Sequence, residues 1–189
     1  AYWRGRAEGG DDTALAALRD QLLSDLDDEF AFIARINLGG EAMADDDQTR
    51  LKQIAERRWL RTLDNRLGVS WEEAKRLEHS APSSLPVEEP LLADRLDHLI
   101  ERADQEVIAP DNRWGFKLEV PQYKFNRGEL HNLSIARGTL TAEERYIINH
   151  HIVQTILMLD RLPFPKHLQN VAEIAGGHHE KMDGTGYPK

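Results

Sequence analysis

Four of the eight histidines stand in two adjacent pairs, His150-His151 and His178-His179. Imidazole nitrogens ligate iron, zinc, nickel and copper, and neighbouring carboxylates widen the range to manganese and magnesium. The second pair runs on through Glu180, Asp183-Gly184 and Gly186-Tyr187-Pro188 in the stretch GGHHEKMDGTGYPK, residues 176–189. Two glycines and a proline packed so closely demand a tight, fixed backbone path. Spacing alone leaves two readings open: a metal site, or buried histidines donating to backbone carbonyls. The stretch is not the metalloprotease pattern, because His178-His179-Glu180 lacks the further histidine, and it is not a phosphate-cradling P-loop.

The elements that carry these residues constrain what they can reach. Neighbours on a helix point about 100° apart, so at most one member of each pair aims at a common point. At a helix end the geometry relaxes, and His178 and His179 can both turn inward. His150 shares a stripe with Tyr146, Val153 and Leu157, which resembles core. His151 shares a more mixed one with Ile147, Gln154, Thr155 and Met158, better suited to a cavity wall. Periodicity does not choose between them. His79, His98, His131 and His167 stand alone beside polar neighbours and read as surface residues.

The chain reads as almost entirely helical. Leu15, Leu18, Leu22, Leu26, Phe30 and Ile33 fall at three- and four-residue spacing, predicting a helix over 13–36 capped by Asp12 or Thr13 and closed by Gly39-Gly40. A second is expected over 47–63 with Leu51, Ile54, Trp59 and Leu63 on its apolar side. A third follows the capping box that opens at Ser70-Trp71-Glu72-Glu73. The stretch 80–90 holds three prolines and three serines and reads as an exposed loop, with a fourth helix over 91–107. Residues 108–128 alternate short apolar positions with turn formers, so a β-hairpin is expected near 114–125. A capping box at Thr141-Ala142-Glu143-Glu144 launches a helix to about Leu159. Pro163 and Pro165 break it, and a last helix runs from Lys166 to Gly176-Gly177, so the second histidine pair sits where a helix stops. Trp3, Trp59, Trp71 and Trp114 are expected to anchor a core or an interface.

Composition narrows the function classes. The 189 residues suffice for one domain, or one domain with a substantial appendage. No run approaches the roughly 20 apolar residues that span a bilayer, and no secretory leader opens the chain. The absence of cysteine excludes disulfides, thiolate metal sites and a cysteine nucleophile, and a cytoplasmic location is expected. A net charge of −9 without a basic stripe argues against a nucleic-acid polymer as partner. A small phosphorylated ligand stays compatible where a metal cation supplies positive charge.

HHEKMDGTGYP resembles the signature of the HD-GYP family, helical metal-dependent phosphodiesterases that hydrolyse cyclic di-GMP. GTLTAEERYIINHHIVQTILML at 138–159 is similar to that family's segment in which Leu-Thr begins a helix bearing one ligand histidine, and this register selects His151. The resemblance covers 138–189. It implies an all-α, HD-domain-like half-bundle in 129–189, with 1–128 as a helical insertion. It implies His151, His178 and His179 as ligands of a two- or three-ion iron or manganese centre. It also implies Glu180 and Asp183 as catalytic carboxylates, and Gly184, Gly186, Tyr187 and Pro188 as a loop over the substrate or a docking surface. The partners implied are a cyclic dinucleotide, a diguanylate cyclase or other signalling protein, and a second copy of the chain.

The eponymous His-Asp dipeptide is absent from the chain, and the family's later aspartate falls beyond Lys189. With Ala1 as first residue, the chain is expected to be part of a longer protein whose isolated activity is low. The alternatives are an inactive regulatory module that docks a partner through its Gly-Tyr-Pro loop, and a helical scaffold.

Overall fold

The computed structural model describes residues 2–78 and 80–189, so His79 lies outside the described residues. In chain order the elements begin with α1 (Tyr2–Ala7), α2 (Asp12–Asn37), β1 (Gly40–Ala42), α3 (Asp45–Ala55), β2 (Arg58–Arg61), α4 (Trp71–Leu77) and β3 (Val87–Pro90). They continue with β4 (Leu99–Glu101), β5 (Tyr123–Asn126), α5 (Glu129–Leu133), β6 (Arg137–Gly138), α6 (Ala142–Leu159) and α7 (Val171–Gly176). The protein is mainly helical, and its strands form three short antiparallel pairs, β1 with β6, β2 with β3 and β4 with β5. None of the described helices is long and apolar enough to cross a membrane.

The described residues pack as two units. One is drawn from residues up to Thr62, from Pro86–Ala93 and from Leu133–Thr139; the other from Leu63–Leu85, Asp94–Asn132 and Leu140–Lys189.

In the first unit α2 forms where its spacing predicts, but Asp11 is the cap, its carboxylate accepting from the Thr13 and Ala14 amides. The leucine stripe is not its buried face: Leu18, Leu22, Leu26 and Phe30 are exposed, and only Phe32 is buried. Phe32 lies under the guanidinium groups of Arg35 and Arg50, 5.1 and 4.4 Å from its ring centroid. The helix expected over 47–63 ends at Ala55. Residues beyond it form β2, whose Arg58, Trp59, Leu60 and Arg61 oppose Pro90, Glu89, Glu88 and Val87. Arg61 reaches across this ladder to Glu89 with Nε and Nη2 at 2.9 and 2.8 Å, a bidentate pair that helical backbone would pull apart. The last four residues of the expected 80–90 loop are therefore strand.

The second unit is built on α6. Thr141 Oγ1 accepts from the Glu144 amide at 3.2 Å while Glu144 Oε2 accepts from the Thr141 amide at 3.0 Å, closing the expected box. Ile152, Val153 and Ile156 bury one face with Phe116, and Ile108, Trp114, Leu118, Leu157 and Tyr187 pack around them. Each fully buried aliphatic side chain of this kind contributes about 1.5–3 kcal/mol. The helix expected over 91–107 does not form: two 3-10 turns flank β4, whose Leu99 and Ile100 pair with Asn126 and Phe125. That pairing with a distant strand outweighs local helix preference. β5 supplies the short strand at the end of the 114–125 region. Of the four tryptophans only Trp114 joins this core, stacked on Phe116; Trp3, Trp59 and Trp71 are exposed.

Candidate metal centre

α6 and α7 come together because Gly176 has no side chain. A Cβ there would stand 2.7 Å from Cγ1 and Cδ1 of Ile156, well inside contact distance. The close approach sets the end of α7, capped at Gly177, whose amide N–H donates to the Glu173 and Ile174 carbonyls, beside the exposed side of α6. The next residues, His178 and His179, then meet His151.

One ring nitrogen from each of His151, His178 and His179 lies within 4.8 Å of the others. His151 Nδ1 donates to the Ile148 carbonyl and His178 Nδ1 to the Ala175 carbonyl, each at 2.5 Å. A carbonyl accepts only, so both rings carry their proton on Nδ1 and leave Nε2 as a lone-pair donor. This is the outer-shell arrangement that orients metal-binding imidazoles, and two such rings with His179 beside them suit a divalent transition metal. Burial, then the charges of His178 and His151, push the His179 pKa below its ordinary value, so its neutral form is favoured. No carboxylate joins the group among the described residues.

His150 points elsewhere. It stacks on Tyr146 with ring centroids 5.3 Å apart and faces a cavity. The core-like stripe packs into the core and, through Tyr146, His150, Val153 and Leu157, lines the cavity together with Ile147 and Gln154 of the mixed stripe, whose His151 belongs to the exposed cluster.

The terminal loop folds back on the cluster. Tyr187 stacks on His179 at 4.6 Å and 13°, and the Tyr187 amide donates to the His179 carbonyl at 3.2 Å. Pro188 is fully buried, follows a cis peptide bond, and accepts at its carbonyl from the Lys117 amide at 2.7 Å. Gly186 is obligatory, since a Cβ would lie 2.4–2.6 Å from backbone atoms of His179, Glu180 and Lys181. Gly184 turns the chain with φ +75°. Asp183 Oδ1 accepts from the Thr185 amide and hydroxyl at 3.0 and 2.7 Å, and these two bonds hold its carboxyl below the usual range. Glu180 Oε1 accepts from the Lys189 amide at 2.7 Å. Both carboxylates are thus engaged within the loop.

Of the isolated histidines, His167 is exposed as expected, whereas His98 and His131 are half-buried. His131 Nε2 stands 3.5 Å from the buried Glu143 carboxylate.

A protein-family model described as HD domain matches residues 86–189, more than half of the chain. Comparison with curated proteins and with solved structures gave no match. HD domains hold divalent metals and act as metal-dependent phosphohydrolases, and the histidine cluster lies inside the matched residues. On this match the chain belongs to the HD-domain family.

Proposed function

We propose that the chain contributes one side of a metal-dependent phosphodiesterase centre of the HD-GYP type that acts on cyclic di-GMP. His151, His178 and His179 serve as metal ligands. The observation that carries this reading is the pair of backbone-anchored Nδ1 atoms, which leaves lone pairs on the Nε2 atoms of His151 and His178 where they gather with His179. The His-His-Glu and Gly-Tyr-Pro signature supports the subfamily and an iron or manganese centre of two or three ions in the intact domain. Such ions, when bound, lower the pKa of a coordinated water and polarise a phosphoryl oxygen.

The chain's own residues bind, orient and exclude water. The Ile148 and Ala175 carbonyls fix two tautomers. The Tyr187 ring covers one face of His179. Asp183 through Thr185, and Glu180 through Lys189, hold the loop in which Gly184, Gly186, Tyr187 and Pro188 form a wall for the substrate. We assign Glu180 and Asp183 to positioning this loop.

Titrating the purified chain with manganese by calorimetry, beside His178→Ala, tests the ligand set. Saturable binding is expected in the parent and none in the variant; equal binding in both overturns the assignment. Hydrolysis of cyclic di-GMP by the same loaded chain is expected to be slow, because three imidazoles complete no two-ion site. Turnover matching an intact enzyme would overturn the incomplete-domain reading.

A second reading rests on Met182, which is fully exposed beside the turn. There the loop docks a partner such as a diguanylate cyclase, and Met182→Asp abolishes that association while manganese affinity is kept.

A further inference from the structure

The second unit encloses a cavity of about 670 Å³, within the roughly 300–1,000 Å³ range of small-ligand sites. It lies on another flank of α6 from the metal cluster: His150 lines it, and His151, His178 and His179 do not. Its apolar wall includes the stacked rings of Trp114 and Phe116, 5.7 Å apart and within 7° of parallel, with Phe125 nearby in the lining. Flat aromatic walls of this kind favour a planar guest.

Its polar groups point to an anionic acceptor. Tyr146 is 5% exposed, and its hydroxyl is buried without a hydrogen-bond partner. Arg102 Nε is likewise buried and unpartnered, although Arg102 Nη2 donates to the Tyr123 carbonyl at 3.0 Å. The Arg102 guanidinium lies 4.5 Å from the Tyr146 ring centroid, so the two unused donors belong to side chains in contact on the same wall. Buried donors without acceptors are costly, and a ligand oxygen placed between them removes that cost. Lys124 and Glu106 also line the cavity and neutralise each other through a 2.5 Å ion pair. Arg102 and Lys124 against Glu106 leave the lining with one net positive charge.

We propose that this cavity binds a small aromatic carboxylate, its rings against Trp114 and Phe116 and its carboxylate between the Tyr146 hydroxyl and Arg102 Nε.

The probe is 2-naphthoate, with 2-naphthalenemethanol as its uncharged counterpart, titrated into the full chain by calorimetry. One 2-naphthoate per chain is expected, bound about 10-fold or more tighter than the alcohol, as a charge-assisted hydrogen bond implies. Tyr146→Phe should weaken 2-naphthoate by roughly 3- to 10-fold and Arg102→Gln by roughly 10- to 100-fold, with the alcohol little affected. Amide chemical-shift changes in the unaltered protein supply a reading that no variant's folding can confound. They should cluster at 102–116, 124–125 and 146–157 and spare 178–184. No binding, equal affinity for acid and alcohol, or shifts centred on the histidine cluster would each overturn the proposal. The two sites share no residue, so failure here leaves the metal assignment standing, and the manganese titration judges that separately.

Discussion

His151 and His179 meet Nε2 to Nε2 at 3.3 Å across 28 residues of sequence. His151 Nδ1 already donates to the Ile148 carbonyl, so its Nε2 carries a lone pair when the ring is neutral. A proton on His179 Nε2 makes the contact a hydrogen bond to His151; with that proton on Nδ1 both nitrogens present lone pairs to one point. Cation binding between them requires that proton to leave Nε2, which makes the pair sensitive to both metal and pH.

Adjacent histidines on α6 should behave oppositely. His151→Ala is expected to lower manganese affinity by more than the roughly 10- to 100-fold that loss of an outer-shell partner costs. His150→Ala, at a ring that faces the cavity, should leave manganese affinity within about twofold, since its ring takes no part in the three-imidazole group. Calorimetric titration separates the two, and a matching loss in both would place the ligand register wrongly.

Acid should remove the metal and also loosen the fold. The His179 pKa is lowered in the folded chain, so the unfolded chain takes up its proton first. Stability tied to this residue is complete above the ordinary histidine value of about 6.5 and falls as pH drops below it toward the folded value. Urea unfolding between neutral and mildly acid pH should show that decline, flattened in His179→Gln. Manganese affinity should fall over the same window, as protons compete for imidazole nitrogens.

Gly176→Ala drives a methyl group into Ile156 and should destabilise the chain by about 1–3 kcal/mol, the usual range for overpacking. Ile156→Val removes one of the two clashing carbons. Combined with Gly176→Ala, it should cost less than the sum of the single changes. A double-mutant cycle by chemical denaturation reads this, and strict additivity would mean that the helices do not meet here.

In the terminal loop the two glycines should differ in what their replacement does. Gly184→Ala meets open space but keeps a left-handed φ, a strain of about 1–2 kcal/mol for a residue with Cβ. Gly186→Ala meets backbone atoms that cannot move aside, so it should displace Tyr187 from His179 and weaken manganese binding as well. Thermal melts and metal titration of both variants check the contrast.

The helix starts at Ser70 and Thr141 were legible in the chain itself, whereas the last helix begins at Val171 and not at Lys166. The boxes at Ser70 and Thr141 form as their letters require, because a cap is satisfied by residues within one turn. The closing turn at Asp183-Gly184 and the need for glycine at 186 follow from equally local sterics. The motif also marked His151, His178 and His179 as residues to bring together, although periodicity could not choose between His150 and His151.

Tertiary structure decided what depends on distant partners. Arg58–Arg61 reads as helix by its apolar spacing but becomes strand because Val87–Pro90 offers a ladder and Glu89 a counter-charge. Leu18, Leu22 and Leu26 hold helical spacing yet stay exposed, because burial needs a facing surface that no stripe can specify alone. The convergence of the three imidazoles required Gly176 to let α7 close on Ile156. The cavity drew Arg102, Trp114 and Tyr146 from three separate segments that no local pattern links. A sequence fixes which groups are present and how neighbours turn. Which remote groups share a space depends on packing, where each contact's worth is set by everything around it.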